Sequence, residues 1–177
     1  MIDDINRRVK GHILTGEDPI EFVHARKNCL ISQREIGAHA ESFASALLSA
    51  LREDPDVILV GELRDLETIS PAITASEMGI LVMATLHTNG SAATVDRILN
   101  AFPADKQNHV RTMLSTSLRG VVSQQLISRK GTPGRVAALE VLINTPAASN
   151  LIRQGKIDQL ETVMQAGANA GMRTMDS

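Results

Sequence analysis

Apolar residues recur along this chain with two different periods. Over residues 40–53 they return every three or four positions, with Phe43, Leu47, Leu48 and Leu51 on one helical face, and Pro55 stops the segment. Asp65–Met78 reads as a second helix, with Leu66, Ile69 and Ile73 inward, Gly79 at its end and Pro71 predicted to kink or shorten it. Two more helices follow, one carrying Val95, Ile98, Leu99 and Phe102, the next Val110, Met113, Leu114 and Leu118. Thr145-Pro146 opens another with a cap and a first-turn proline, and a last short helix spans about 157–166. Residues 1–10 are helical without an N-terminal cap.

Between these helices lie short strand candidates: His12–Thr15, Cys29–Ile36, Val57–Val60 and Ile80–Leu86. Val57–Val60 and Ile80–Leu86 are continuous apolar runs, as buried parallel strands are. Val121–Ser128 and Val136–Asn144 flank the turn Lys130-Gly131-Thr132-Pro133-Gly134. Strands alternating with amphipathic helices predict an α/β domain with a mostly parallel sheet, and the second half turns more helical.

Composition narrows the function classes. Of 177 residues, 43% are hydrophobic and 21% charged, which suits a packed core and argues against wholesale disorder. A net charge of −2 gives no overall pull toward nucleic acid or an anionic membrane, and without Tyr or Trp there is no base-stacking platform. The lone Cys29 excludes an internal disulfide framework and a four-cysteine zinc site, and suits a reducing compartment. The five histidines show no i, i+4 pairing. The apolar runs are too short to span a bilayer, so the chain reads as soluble and cytoplasmic.

Three polar clusters fall just past strand ends: Glu17-Asp18-Pro19-Ile20-Glu21, Gly61-Glu62-Leu63-Arg64-Asp65 and His87-Thr88-Asn89. In open α/β sheets the ligand crevice lies beyond the carboxyl ends of the strands. Carboxylates, an arginine and an imidazole on one rim suit phosphoryl transfer to water: acids hold magnesium or orient the water, and cations meet the phosphates. Each cluster has a plainer reading. Glu62 alone serves as a helix-start acid, residues 17–21 as a solvated turn, His87 as a rim histidine, and Asn89 or Ser91 as the cap of the next helix. Their joint occurrence in register with three strand ends favours the catalytic reading.

The stretches HILTGEDPIEF, SALREDPDVILVGELRDLETI and ATLHTNGSAATVDRI resemble the Asp box, Walker B region and His box of the type II/type IV secretion-system ATPases, nearest the pilus-retraction branch. The shorter QREIG, SQQLI and NLIRQGK fit the same family, so the resemblance covers nearly the whole chain. It implies a RecA-like P-loop NTPase domain, with residues 1–145 as the ATPase core lacking its phosphate-loop strand and 146–177 as the start of the C-terminal helical region. It further implies a cytoplasmic ring hexamer at the inner-membrane base of a pilus, acting with a platform protein there and using ATP and Mg²⁺. Carried over by position, Glu62 is the Walker B glutamate serving metal and water. Asp18 is an Asp-box acid near the metal, with Glu17 and Glu21 flanking it as catalytic acids. His87 reads the γ-phosphate, and Arg64 and Arg97 belong to the nucleotide-facing motifs. Arg34 and Arg52 are candidates for contacts across a subunit boundary.

The chain departs from the family pattern in places. It contains no G-x-x-x-x-G-K-[ST], whose backbone N–H groups and lysine hold the β- and γ-phosphates, so these residues alone are expected to be inactive. Gly16 stands where the family usually has a β-branched residue. An assembly or secretion ATPase, and a non-catalytic fragment acting as an interaction module, remain the alternatives to a retraction motor.

Overall fold

The computed structural model describes residues 1–176, and the chain divides into two compact units, Met1–Leu86 and a second that runs on from His87. The first unit holds α1 (Ile2–Arg8), β1 (His12–Glu17), β2 (Leu30–Glu35), α2 (Phe43–Ala50), β3 (Val57–Val60), α3 (Leu66–Glu77) and β4 (Leu81–Ala84). Its sheet is wholly parallel, with strand order β2-β1-β3-β4. Parallel strands need crossover connections, and α2 lies in the one from β2 to β3 and α3 in the one from β3 to its neighbour β4. The apolar positions of the two central strands, Ile13, Leu14, Val57, Ile58 and Val60, are buried, as sequence runs of that kind require.

Local signals set the helices. Ser42 caps α2 through a capping box with Ser45, and Asp65 caps α3 by accepting from Thr68 N at 3.0 Å and Thr68 Oγ1 at 2.8 Å.

Four expectations are corrected. The inward face of α2 is Ala46, Leu47 and Ala50, while Leu48 is 54% exposed. Counting only large side chains passes over the alanines that let a helix lie close to a sheet. Helix α3 runs on through Pro71 to Glu77, so the proline does not shorten it. The bond that proline deletes would have used the carbonyl of Glu67, an exposed residue whose carbonyl water can satisfy, and Thr68, Ile69, Ala72 and Ile73 anchor the helix on both sides of it. Leu66, at the first turn, is exposed rather than inward. Finally, β4 lies at an edge of its sheet with Leu81 41% exposed, so it is only partly buried.

The second unit holds α4 (Ser91–Asn100), α5 (Ala104–Ser117), β5 (Gly120–Ser128), β6 (Arg135–Ile143), α6 (Pro146–Gln154), a 3-10 turn (Ile157–Gln159), α7 (Leu160–Ala166) and a second such turn (Ala168–Ala170). Strands β5 and β6 form an antiparallel ribbon, Gly120 opposite Ile143 through Ser128 opposite Arg135. The ribbon is mostly solvent-facing, with Val122, Leu126 and Ile127 exposed and only Ser123 and Leu142 buried among its residues. The unit's core is Val95, Leu142, Ala148, Ile152 and Leu160. Helix α6 begins at the Thr145 cap with Pro146 in its first turn and ends at Gly155, whose φ of 74° suits glycine. Among the described residues no helix is long and apolar enough to cross a membrane.

Candidate functional site

In the first unit the ends of β1 and β3 lie side by side, because Gly16 pairs with Val60 and Gly61 N donates to the Gly16 carbonyl at 2.7 Å. That bond extends the ladder one residue past β3. A Cβ on Gly61 would stand 3.0 Å from the Gly16 oxygen and 3.4 Å from Glu17 Cα. The glycine is therefore what lets the chain carrying Glu62 run this close to Glu17. On its other side, Leu63 N donates to the Thr85 carbonyl at 3.0 Å, and Thr85 Oγ1 donates to the Gly61 carbonyl. The Glu62 segment is thus tied to the ends of both neighbouring strands, and stiff strands hold it there.

Glu17 is half-buried. Its Oε1 accepts from Thr15 Oγ1 at 2.5 Å and from Gln33 Nε2 at 3.0 Å. Thr15 precedes Glu17 by two on one face of β1, and Gln33 is Thr15's partner on β2, so alternation brings the three together. Gln33 also donates to the Phe22 carbonyl and accepts from His24 N, fastening the irregular segment that follows β1. Ile20 N donates to Glu35 Oε2 in the same segment. Asp18 is exposed at its start, and Glu21 is exposed further along it.

Glu62 Oε2 accepts from Arg64 Nε at 2.6 Å, the glutamate side chain 20% exposed and the arginine 58%. Hydrogen bonding to Glu62 holds the Arg64 guanidinium above its usual range, with smaller contributions from the carboxylates of Asp18 and Asp65. Three acids of the two clusters therefore act on one arginine. Asp65 is the cap of α3, so the helix-start role belongs to it and not to Glu62. Of the sequence candidates, Glu17, Asp18, Glu62 and Arg64 belong to this rim of the first unit. His87 and Arg97 belong to the second unit: His87 is exposed three residues after β4 in sequence, and Arg97 lies in the last turn of α4. Arg34 donates to Ser49 Oγ at 2.6 Å and pairs with Glu53, so its guanidinium is engaged within the chain.

Among the described residues no three His, Cys, Asp or Glu side chains are gathered as a metal cage.

The cap of α4 differs from the sequence reading. Its N-cap is Gly90, and no side chain from Asn89 or Ser91 serves. Instead Gly90 N donates to Ser123 Oγ at 3.0 Å and Ser91 N donates to Glu140 Oε1 at 2.5 Å. Neither Ser123 nor Glu140 was marked by the sequence. Both lie more than thirty residues away in the chain, and no local pattern signals such a contact.

A family model described as "Type II/IV secretion system protein" matches residues 1–175. The chain is 58% identical over 176 residues to a "Twitching motility protein" of Neisseria gonorrhoeae, covering 99% of this chain and 47% of that protein. It is 54% identical over 176 residues to the "Type IV pilus retractation ATPase PilT" of Pseudomonas aeruginosa, covering 99% and 51%. Among solved structures, the pilus retraction motor PilT with bound ADP superposes with a TM-score of 0.89 at 51% identity, over 94% of this chain and 48% of that one. The Legionella pneumophila ATPase DotB gives 0.86 at 30%, over 98% and 48%. The α/β fold with a parallel sheet and flanking helices is thus the one these ATPases have, and the chain spans about half the length of the curated relatives it matches. With the match running almost end to end, the chain belongs to the type II/IV secretion system protein family.

Proposed function

We propose that these residues are part of a ring-forming motor ATPase that couples ATP hydrolysis to retraction of a type IV pilus. The observation that carries this reading is the rim at the ends of β1 and β3, where Gly61 brings Glu62 against the Glu17 segment and Arg64 pairs with Glu62. Kinship with twitching-motility proteins at more than half identity supports the choice of retraction over assembly or secretion.

In this reading residues 1–145 contribute to the RecA-like core and 146–177 begin the C-terminal helical region. Asp18 and Glu62 take magnesium through its waters, Glu17 and Glu21 flank them, and His87, Arg64 and Arg97 face the phosphates. Bound Mg²⁺-ATP supplies the phosphoryl group and the charge that these side chains meet. Arg64 keeps the Glu62 carboxylate in one orientation through the Nε–Oε2 bond. Glu17, held by Thr15 and Gln33, fixes the other wall of the rim. The assembly is a homo-hexamer that works in the cytoplasm against the inner-membrane platform of the pilus. The 177 residues by themselves carry no lysine-bearing phosphate loop and do not turn over ATP.

The test is a swap. Residues 1–176 replace the matching half of the Pseudomonas aeruginosa retraction ATPase in a strain that lacks it. Twitching is expected to return with the swapped gene and to vanish with Glu62→Gln. Twitching that persists with Glu62→Gln would overturn the site. Detectable ATP turnover by the isolated chain, lost in Glu62→Gln, would overturn the statement that it is inactive alone.

A further inference from the structure

The first N–H groups of a helix have no partners inside it and must find acceptors elsewhere. At α4 the usual solution is absent. Gly90 is the N-cap, with φ at 94°, and brings no side chain, while the buried Ser91 Oγ has no hydrogen-bond partner. The acceptors come from the middle of the ribbon. Ser123 Oγ takes the Gly90 N–H and Glu140 Oε1 takes the Ser91 N–H. Ser123 and Glu140 sit directly opposite each other across β5 and β6. Opposed residues of an antiparallel pair present their side chains on the same face, so one face of the ribbon offers two acceptors to two consecutive amides.

The same turn is held from the helix side. Thr94 Oγ1 lies 2.8 Å from the Gly90 carbonyl, to which it donates, and 2.7 Å from Thr88 Oγ1. Residues 88–91 are therefore fixed by three side chains of the second unit besides their own, and His87 is the residue joined to them. A carboxylate at a helix N-terminus is favoured by the helix dipole and makes a charge-assisted bond. It also takes up an amide of the α4 terminus that an anion would otherwise use.

We propose that Ser123 and Glu140 are a positioning pair that fixes the turn bearing His87, with Glu140 the larger contributor. Its bearing on catalysis rests on the reading above, in which His87 faces a nucleotide phosphate. Glu140 does not touch nucleotide. It acts through the Ser91 N–H, and it ties the orientation of the His87 turn to the ribbon.

The 177-residue chain, labelled with ¹⁵N and ¹³C, tests the pair without any nucleotide. In Glu140→Ala the Ser91 amide should exchange with solvent about tenfold faster, the range expected for a lost cap. The His87 ring signals should shift or broaden, while amides pairing β5 with β6 keep their protection. Glu140→Gln retains an oxygen at the same reach without the charge and should restore most of both signals. Glu140→Asp retains the charge, is one methylene shorter, and should not. Ser123→Ala, the milder variant if Glu140→Ala fails to fold, should release the Gly90 amide and perturb His87 in the same direction.

Unchanged His87 signals in a folded Glu140→Ala chain, or in Ser123→Ala in its place, would overturn the proposal. So would rescue by Asp and not by Gln. Failure of the nucleotide reading would look different: normal twitching by a His87→Ala swap, with the pair's effects on exchange intact.

Discussion

Strands β1 and β3 of the first unit deliver Glu17 and Glu62 from their carboxyl ends, whereas the ribbon of the second unit delivers Ser123 and Glu140 from its middle. The first pair of strands is buried along its length, so its interior is spoken for by packing and only the ends can carry chemistry. The ribbon is exposed along most of its length, so a polar side chain at mid-strand is free to reach another element. The first arrangement fixes side chains by covalent proximity to a stiff strand. The second fixes a neighbouring turn at a distance, through hydrogen bonds.

This contrast is sharpest in stability. Ile58→Ala, in the centre of β3 at 1% exposure, should cost about 3 kcal/mol, within the range for a truncated core isoleucine. Leu126→Ala, at 61% exposure on the ribbon, should cost less than about 0.5 kcal/mol. Urea unfolding of the two variants measures both. Equal losses would mean that the ribbon is packed as tightly as the sheet and would erase the distinction.

The two glycines at the rim divide the first unit more finely. Gly61→Ala forces a Cβ to 3.0 Å from a backbone oxygen and should destabilise by about 1–2 kcal/mol. Gly16→Ala meets only Ala46 Cβ at 3.7 Å and Phe43 Cδ1 at 3.8 Å, beside a small apolar cavity lined by Leu14, Phe43, Leu47 and Ile58. It should stabilise by about 0.5 kcal/mol, chiefly by restricting the unfolded chain. The structure thus has room for a Cβ at position 16. Thermal melts of both variants should move in opposite directions; movement in the same direction would refute the packing difference between the two positions.

Much of this was legible beforehand, and the exceptions have physical causes. Val57–Val60 was readable because a four-residue apolar run between Asp56 and Gly61 fits little else than a buried strand. The place of Glu17, Asp18 and Glu62 at strand ends was readable from the apolar runs that precede them. Leu48 was assigned to the wrong face because large residues outweighed Ala46 and Ala50 in the pattern. Pro71 reads as a kink or an early stop, yet α3 continues to Glu77, because packing on both sides of the proline outweighs one lost hydrogen bond. Glu140 was invisible because its partner at Ser91 is 49 residues away, and nothing near Glu140 marks it as a cap.

The smallest effect lies at the start of the first unit. A hydrogen bond from Lys27, helped by Arg7, holds the Asp3 carboxyl below its ordinary value of 3.8. A depressed folded-state pKa means stability that is present above the unfolded value and is lost as pH falls through the folded one. Asp3→Asn should therefore lower Tm slightly at neutral pH, and the difference should close as both proteins are acidified below the carboxylate range. Because Asp3 is on the surface, solvent and salt keep the effect small. A difference that widens in acid would contradict the assignment.

The most direct test of the rim as the magnesium–nucleotide site is ATP turnover by the purified swapped motor, compared with its Glu62→Gln variant. Removal of a side chain that serves metal-bound or attacking water should lower kcat by at least about 100-fold while KM for ATP stays within a few-fold. A kcat within about threefold of the parent, with the variant folded and assembled, would contradict the assignment of Glu62 and of the site built around it.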